Sequence, residues 1–318
     1  MGEGMAERVQ YERFGGPEVL EVVQVETPTA PEGGVVVAVK AAGVNPIDGK
    51  IRSALRSSGP ITGPRGLGSD AAGVIVEVGE GASGWEAGDE VVVRGAHGAY
   101  ATHLTASTDQ LVRKPAGVTW EQAAAIGVPV STAYQALRSL GVEGGMTLLI
   151  HGGSGSVGRA AIQFAVRDGA TVVVTASEGN HDALLALGAV PVAYGPGVVD
   201  RLRLAAPQGY DRVLDAIGTD EALDASFELV EDRSHIGTIV MGARAAELGI
   251  LAWAGGNPVP LTPQEQAWRD EAYPVVLDLI DRGEFTVEIA RTFPLSQAAD
   301  AQRLVESGHP GGKVVLLP

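Results

Sequence analysis

The sequence predicts an α/β protein in two parts, a β-rich part followed by a parallel-sheet part. Three observations carry this. From Val9 to about Leu111 short β-branched runs are separated by Gly, Pro and Asp clusters. From about Ala123 strand-like and helix-like segments alternate, the signature of parallel βαβ units. Between them in character, "LLIHGGSGSVGRAAIQFAV" (148–166) runs from an apolar strand through a glycine-rich turn into a helical pattern.

In chain order, "VVVAVKAAGV", "AAGVIVEVG" and "DEVVV" are strands of the first part. In "AAGVNPIDGKIRS", Asn45, Pro46 and Asp48 have the N-cap, N1 and N3 chemistry of a helix start, with Asp48 spaced to pair with Arg52 one turn on. "QAAAIGVPVSTAYQALRSL" reads as a helix, "TLLIHG" as a strand, and "GRAAIQFAVRDG" as a helix ended by Gly169. "ATVVVTAS" is a strand, "DALLALG" a helix, and "PVAYG", "RVLDAIG" and "HIGTIVMG" strands. The tail holds the helices "AYPVVLDLIDRG" and "SQAADAQRLVESG" and the strand "GKVVLLP". "SALRSSGPITGPRG" and "AGGNPVPLTPQEQAW" read as loops.

Composition narrows function. At 318 residues, 45% hydrophobic and 19% charged, the chain is an ordinary globular protein long enough for two domains. Its formal charge of −16 opposes a nucleic-acid backbone and an anionic membrane surface, so a small ligand is expected and any phosphate must be held by local geometry. The absence of cysteine excludes disulfides, thiolate catalysis and sulfur-ligated zinc. "MGEGMAERVQ" lacks the apolar core of a signal peptide and no apolar run spans a bilayer, so the expectation is a cytoplasmic protein.

Gly153, Gly155 and Gly158 fit G-x-G-x-x-G with a strand before and a helix after. Gly153 is expected to make the tight turn, Gly155 to let a pyrophosphate approach the backbone, and Gly158 to let helix and strand pack closely. The N–H groups of Ser156 and Val157 would face that anion at the positive end of the helix. The tip of the second strand is Ala176–Ser177, without the Asp or Glu that holds a ribose 2′-hydroxyl. Ser177, Asn180 and His181 offer donors for a 2′-phosphate, which favours NADPH with NADH second. Glu178 is the nearest carboxylate, and Ser177 and Asn180 also suit capping of the helix that follows. Asp215 reads as a turn-bonding residue at a strand end. His97, His103, His151, His235 and His309 have no ligand spacing.

"GGPEVLEVVQVETPTAPEGGVVVAVKAAGVNPID", "GLGSDAAGVIVEVGEGASGWEAGDEVV", "GAYATH", "STAYQAL", "HGGSGSVGRAAIQFA", "TASEGNHDALLALGA" and "GGKVVLLP" occur in the order seen in medium-chain dehydrogenases/reductases, and the chain resembles their zinc-independent quinone oxidoreductase branch. The resemblance implies a GroES-like β-rich catalytic domain at 1–124, a Rossmann doubly wound parallel-sheet domain at 125–257, and a return to the catalytic domain at 258–318, with the active site in the cleft between them. It implies an NADPH-dependent reductase of quinones or α,β-unsaturated carbonyls, often a homodimer, the apolar strand "LGILAW" extending the sheet across a two-fold axis. The alternatives are an enoyl reductase on a carrier- or CoA-bound chain, which wants basic residues such as Arg52, Arg56 and Arg65, and a low-turnover NADPH-binding redox sensor. Zinc-dependent relatives carry Cys where Asn45 stands and a His-Glu pair where Ser69 and Asp70 stand, so no zinc is expected. By resemblance Asn45 is the active-site residue near the nicotinamide, and Thr132 contacts the same end. Tyr194 lies beside the phosphate, Ala216, Ile217 and Gly218 with Met241 and Gly242 line the cofactor, and Lys313 belongs to a C-terminal Gly-Lys pair, with a solvated lysine as its other reading. Tyr100 and Tyr134 read as buried structural tyrosines, and the proton donor as water.

Overall fold

The computed structural model describes residues 4–56, 58–308 and 310–318. Along the chain come β1 (Met5–Tyr11), β2 (Glu21–Glu26), β3 (Gly34–Val44), α1 (Pro46–Arg52), β4 (Arg65–Gly66), β5 (Asp70–Val78), β6 (Glu90–Val93), β7 (His103–Ser107), β8 (Leu111–Arg113), α2 (Trp120–Ala125) and α3 (Gly127–Ser139). Then follow β9 (Thr147–His151), α4 (Ser156–Arg167), β10 (Thr171–Ala176), α5 (His181–Ala186), β11 (Val190–Ala193), α6 (Val198–Ala205), β12 (Arg212–Asp215), α7 (Asp220–Leu229), β13 (Ile236–Thr238), α8 (Ala245–Leu248) and β14 (Leu251–Ala252). The tail forms α9 (Pro263–Asp281), β15 (Ile289–Pro294), α10 (Ala298–Glu306) and β16 (Lys313–Leu317).

Residues up to Val128 together with Tyr273–Pro318 form one compact unit, and Pro129–Ala272 the other. The divisions fall inside α3 and α9, against the 124/125 and 257/258 expected from the sequence. The first unit is the GroES-like one. It holds a three-stranded sheet β2-β1-β4 and a seven-stranded sheet ordered β15-β16-β3-β5-β6-β8, with β7 also paired to β3. β3 is its spine: in GVVVAVKAAGV nearly every side chain is buried, as a strand covered on both faces requires. Val35, Val37, Ile75, Val91 and Val314 meet in its core. β16 runs antiparallel to β3, with Val314 opposite Val44, so the tail completes this unit's sheet.

The second unit is a parallel sheet ordered β11-β10-β9-β12-β13-β14. Counted from its first strand this is 3-2-1-4-5-6, the doubly wound Rossmann order, in which the connection reverses between β9 and β12. The edge segment "LGILAW" contributes only Leu251 and Ala252 to the sheet.

Local differences from the sequence reading have local causes. The helix expected over 122–140 breaks at Ile126 into α2 and α3. "RVLDAIG" and "HIGTIVMG" leave the sheet after Asp215 and Thr238, whose side chains tie the turns that follow. The segment expected as a loop before residue 268 starts α9 at Pro263. Thr262 Oγ1 accepts from the Glu265 N–H (3.2 Å) and Glu265 Oε2 from the Thr262 N–H (2.7 Å), a capping box with Pro at its first helical position.

Candidate functional site

In the second unit the carboxyl ends of β9 and β12 flank the reversal point, where open α/β sheets take ligands. Four glycines after β9 have separate tasks. The left-handed residue is Gly152 (φ +84°), so the tight turn expected at Gly153 is made one residue earlier. Gly153 is needed for packing: a Cβ there would lie 2.7 Å from Val174 Cβ on β10. At Gly158 a Cβ would lie 2.4 Å from Gly152 O, so helix and turn are in backbone contact. Gly155 differs from both. A Cβ on it would meet only Gly152 O, at 3.6 Å, so the protein itself does not fill that space. Gly155 is also the N-cap of α4 and caps nothing with a side chain, which leaves Ser156 and Val157 at the first helical positions without an intrahelical acceptor.

At the tip of β10, Ser177, Asn180 and His181 come together: Asn180 Nδ2 donates to Ser177 Oγ (2.9 Å), and a His181 ring nitrogen lies 3.4 Å from the Ala176 carbonyl. Neither Ser177 nor Asn180 caps the following helix with its side chain, contrary to the capping reading. Tyr194 follows β11 and is 56% exposed, so it is not a core aromatic. Arg201 fixes its loop by donating to the carbonyls of Ala193, Tyr194, Gly195 and Pro196.

Ala216–Gly218 and Met241–Gly242 are knitted together from below. Buried Asp215 accepts on Oδ1 from the N–H groups of Ile217 (3.1 Å) and Gly218 (2.8 Å), and on Oδ2 from the Thr238 hydroxyl (2.7 Å). Thr238 Oγ1 in turn accepts from the Val240 and Met241 N–H groups (3.1 and 3.0 Å). Asp215 is thus a turn-bonding residue, as expected. His151, buried at the end of β9, has Nδ1 3.0 Å from Thr175 Oγ1; burial lowers its pKa to about 4, so it is neutral, and Nε2 has no partner among the described residues. His309 lies outside the described residues. Thr132 is buried on α3. Tyr134 packs edge-on against Phe164 and donates to Glu271, a structural role.

The first unit holds a buried polar cluster around Asn45. Asn45 Nδ2 donates to Asp70 Oδ2 (2.8 Å), and Lys313 Nζ donates to Asn45 Oδ1 and to Asp70 Oδ2 (3.2 Å). Asp70 Oδ1 accepts from the Val128 N–H (2.9 Å) at the start of α3. Lys313 is 4% exposed, which overturns its reading as a solvated lysine. Sequence reasoning missed Asp70 as a partner of Asn45; its one signal was an acid at the head of an apolar strand. The expected Asp48–Arg52 pair does not form. Arg52, itself buried, bonds Glu306 of α10 and the Gly15 carbonyl (3.0 Å). Arg65 is likewise committed, to the carbonyls of Ser58, Gly59 and Pro60, so neither it nor Arg52 keeps the freedom a carrier-bound substrate would want.

Asp48 instead accepts on Oδ2 from the Asn45 N–H (2.9 Å) and the Tyr100 hydroxyl (2.8 Å). Burial outweighs these donors and raises its pKa from 3.8 to about 7, with Asp70 adding to the rise. Burial, then Asp48, pushes the Tyr100 hydroxyl well up, so Tyr100 stays a neutral donor. The folded value of Asp48 lies above the unfolded one, so its stability contribution is complete below about pH 4 and is lost as pH rises through 7. Asp48→Asn keeps an oxygen for both donors and does not ionise. Relative to wild type, its Tm is expected to rise between pH 5 and pH 8, by an amount worth on the order of a few kcal/mol. A difference independent of pH in thermal scans would remove the assignment.

Residues 187–316 match the family described as zinc-binding dehydrogenase, and residues 31–116 the alcohol dehydrogenase GroES-like domain. The chain is 31% identical to the quinone oxidoreductase of Pseudomonas aeruginosa over 99% of its own length and 100% of that protein's. It is equally identical, at the same coverage, to quinone oxidoreductase 1 of Escherichia coli. Among solved structures, the quinone oxidoreductase of Coxiella burnetii superposes with a TM-score of 0.85 at 31% identity, covering 99% of both chains. The Escherichia coli quinone oxidoreductase complexed with NADPH superposes at 0.82 and 27% identity, covering 98% of this chain and 100% of that one. The residues present do not fit zinc. Among the described residues no group of three or more His, Cys, Asp or Glu is placed to hold a metal ion, and Asp70 already neighbours the Lys313 ammonium. A dinucleotide does fit, at the space left by Gly155 and the uncapped start of α4.

Proposed function

Because the chain belongs to the quinone oxidoreductase-like branch of the medium-chain dehydrogenases/reductases, and so is an oxidoreductase using a nicotinamide cofactor, we propose that it is a cytoplasmic, zinc-independent NADPH-dependent reductase of quinones and α,β-unsaturated carbonyls. The observation that carries the reading is the turn at Gly155, open on its ligand side at the reversal point of the sheet. Two relatives whose structures are described as complexes with NADPH add support.

In this reading the N–H groups of Ser156 and Val157 hold the pyrophosphate at the positive end of α4. Ser177, Asn180 and His181 donate to the 2′-phosphate, and Tyr194 covers it. The Asp215–Thr238 bonds hold Ala216–Gly218 and Met241–Gly242 in shape along the dinucleotide. Thr132 serves the nicotinamide end. When bound, the nicotinamide supplies a hydride. Asn45 donates a hydrogen bond to the acceptor oxygen on which negative charge grows, and water delivers the proton.

Calorimetric titration with NADPH and NADH, on wild type and His181→Ala, tests the cofactor assignment. Wild type is expected to prefer NADPH, and His181→Ala to lose about tenfold in NADPH affinity, one charge-assisted hydrogen bond's worth, with NADH nearly unchanged. Equal losses for both would sink the 2′-phosphate role. Stopped-flow mixing of the NADPH complex with 1,4-benzoquinone and 2-hexenal tests turnover; bound NADPH that neither oxidises would replace the reductase with a binding protein.

A further inference from the structure

We propose that Lys313 and Asp70 are positioning residues that lock the Asn45 carboxamide in one orientation, leaving its second N–H free for the acceptor; the proposal rests on the reductase reading above. Three distant segments converge to do this. Gly43 near the end of β3 lies opposite Asp70, the first residue of β5, and Val44 lies opposite Val314, the residue after Lys313. Asn45 follows Val44 directly. The approach is close enough to require glycine at 43: a Cβ there would lie 3.0 Å from both Asp70 Cβ and Lys313 Cε, and 2.3 Å from the Ala124 carbonyl oxygen.

The chemistry of the neighbours fixes which way the amide faces. An ammonium only donates and a carboxylate only accepts. Lys313 Nζ therefore selects Oδ1 of Asn45, and Asp70 Oδ2 selects Nδ2. Turning the amide over would set N–H against ammonium and C=O against carboxylate at residues no more than 4% exposed, where neither clash is screened by water. Asp70 is held in turn by the Val128 N–H, so the lock is anchored to backbone. Nδ2 keeps one hydrogen without an acceptor among the described residues. A carboxamide held this way loses no orientation when charge develops on the acceptor, which is what makes a hydrogen-bond donor effective in catalysis.

The test separates orientation from stability. Lys313→Met alone strands a buried carboxylate, so stability and turnover are expected to fall together. Lys313→Met/Asp70→Asn removes the stranded charge, but the Val128 N–H then selects the oxygen of the new amide, whose NH2 faces Asn45 and favours the turned-over carboxamide. In the double variant Tm is expected to recover toward wild type, kcat to stay on the order of 10²-fold low, and NADPH Kd to move only a few-fold. Lys313→Arg, which keeps a cation that only donates, is expected to rescue much of the turnover. A readout without cofactor comes from the Asn45 side-chain amide signals in ¹⁵N spectra, assigned by their loss in Asn45→Ala: the proton bonded to Asp70 is expected to exchange slowly with solvent in wild type, and faster by about tenfold or more in the double variant. Turnover that returns together with Tm, or amide signals equally protected in both proteins, would overturn the proposal. A wild type that fails to oxidise NADPH with any acceptor would defeat the reductase reading alone, and the amide signals would still decide the lock.

Discussion

Gly155→Val is expected to raise the Kd for NADPH and NADH alike by on the order of 10²-fold, the loss of one or two charge-assisted hydrogen bonds, while leaving Tm close to wild type. The argument turns on what a side chain meets at each glycine of the turn. At Gly153 and Gly158 it meets the protein's own Val174 side chain or Gly152 backbone, so a substitution there damages the fold first. At Gly155 the backbone is extended (φ −70°, ψ 163°), a conformation valine adopts without strain, and the nearest protein atom lies 3.6 Å from the added Cβ. The branched side chain would then fill space that the ligand's pyrophosphate needs. Calorimetry beside a thermal scan checks this. Affinity equal to wild type would remove the turn from the binding site, whereas loss of Tm and affinity together would make Gly155 a structural glycine like its neighbours.

What the sequence could reveal follows the range of the interaction concerned. The strand, turn and helix of 148–166 are local, and their hydrophobic periods and glycines were legible. The capping pair of Asn45 and Asp48 spans three residues and was legible too. The expected Asp48–Arg52 bond failed because Glu306 arrives from 254 residues away and takes the guanidinium. Gly153 departs from expectation for the same reason: its constraint is Val174 on the neighbouring strand, while the left-handed turn falls to Gly152. The order of the parallel sheet, with β12 beside β9, is a pairing between distant strands that alternation alone does not specify. Lys313 is the plainest case. One lysine before an apolar strand looks the same whether solvated or buried, and only the docking of β16 on β3 supplies its partners. By contrast, the start of α9 is written locally in Thr262-Pro263-Gln264-Glu265, but the proline-rich segment before it resembles a loop and masks that signal.

Asn45→Ala is expected to lower kcat by on the order of 10²-fold or more, the usual cost of removing one preorganised donor from a developing oxyanion, while NADPH Kd changes only a few-fold. The split follows from where each function lies: the glycine turn, the β10 tip and the strand-end loops that would hold the dinucleotide belong to the second unit, and Asn45 to the first. Stability should fall modestly, because Lys313 and Asp70 still pair at 3.2 Å, each short of one hydrogen bond, a loss of about 1–3 kcal/mol. Asn45→Asp makes the complementary test. It keeps the shape but places another carboxylate beside Asp70 and Asp48, with Lys313 as the neighbouring cation, so it should cost more stability than alanine and leave an acceptor where a donor is needed. Single-turnover kinetics with saturating NADPH measures the chemical step directly for both variants. A folded Asn45→Ala enzyme with undiminished turnover would move oxyanion stabilisation to another donor, and a loss confined to NADPH affinity would make Asn45 a cofactor contact instead.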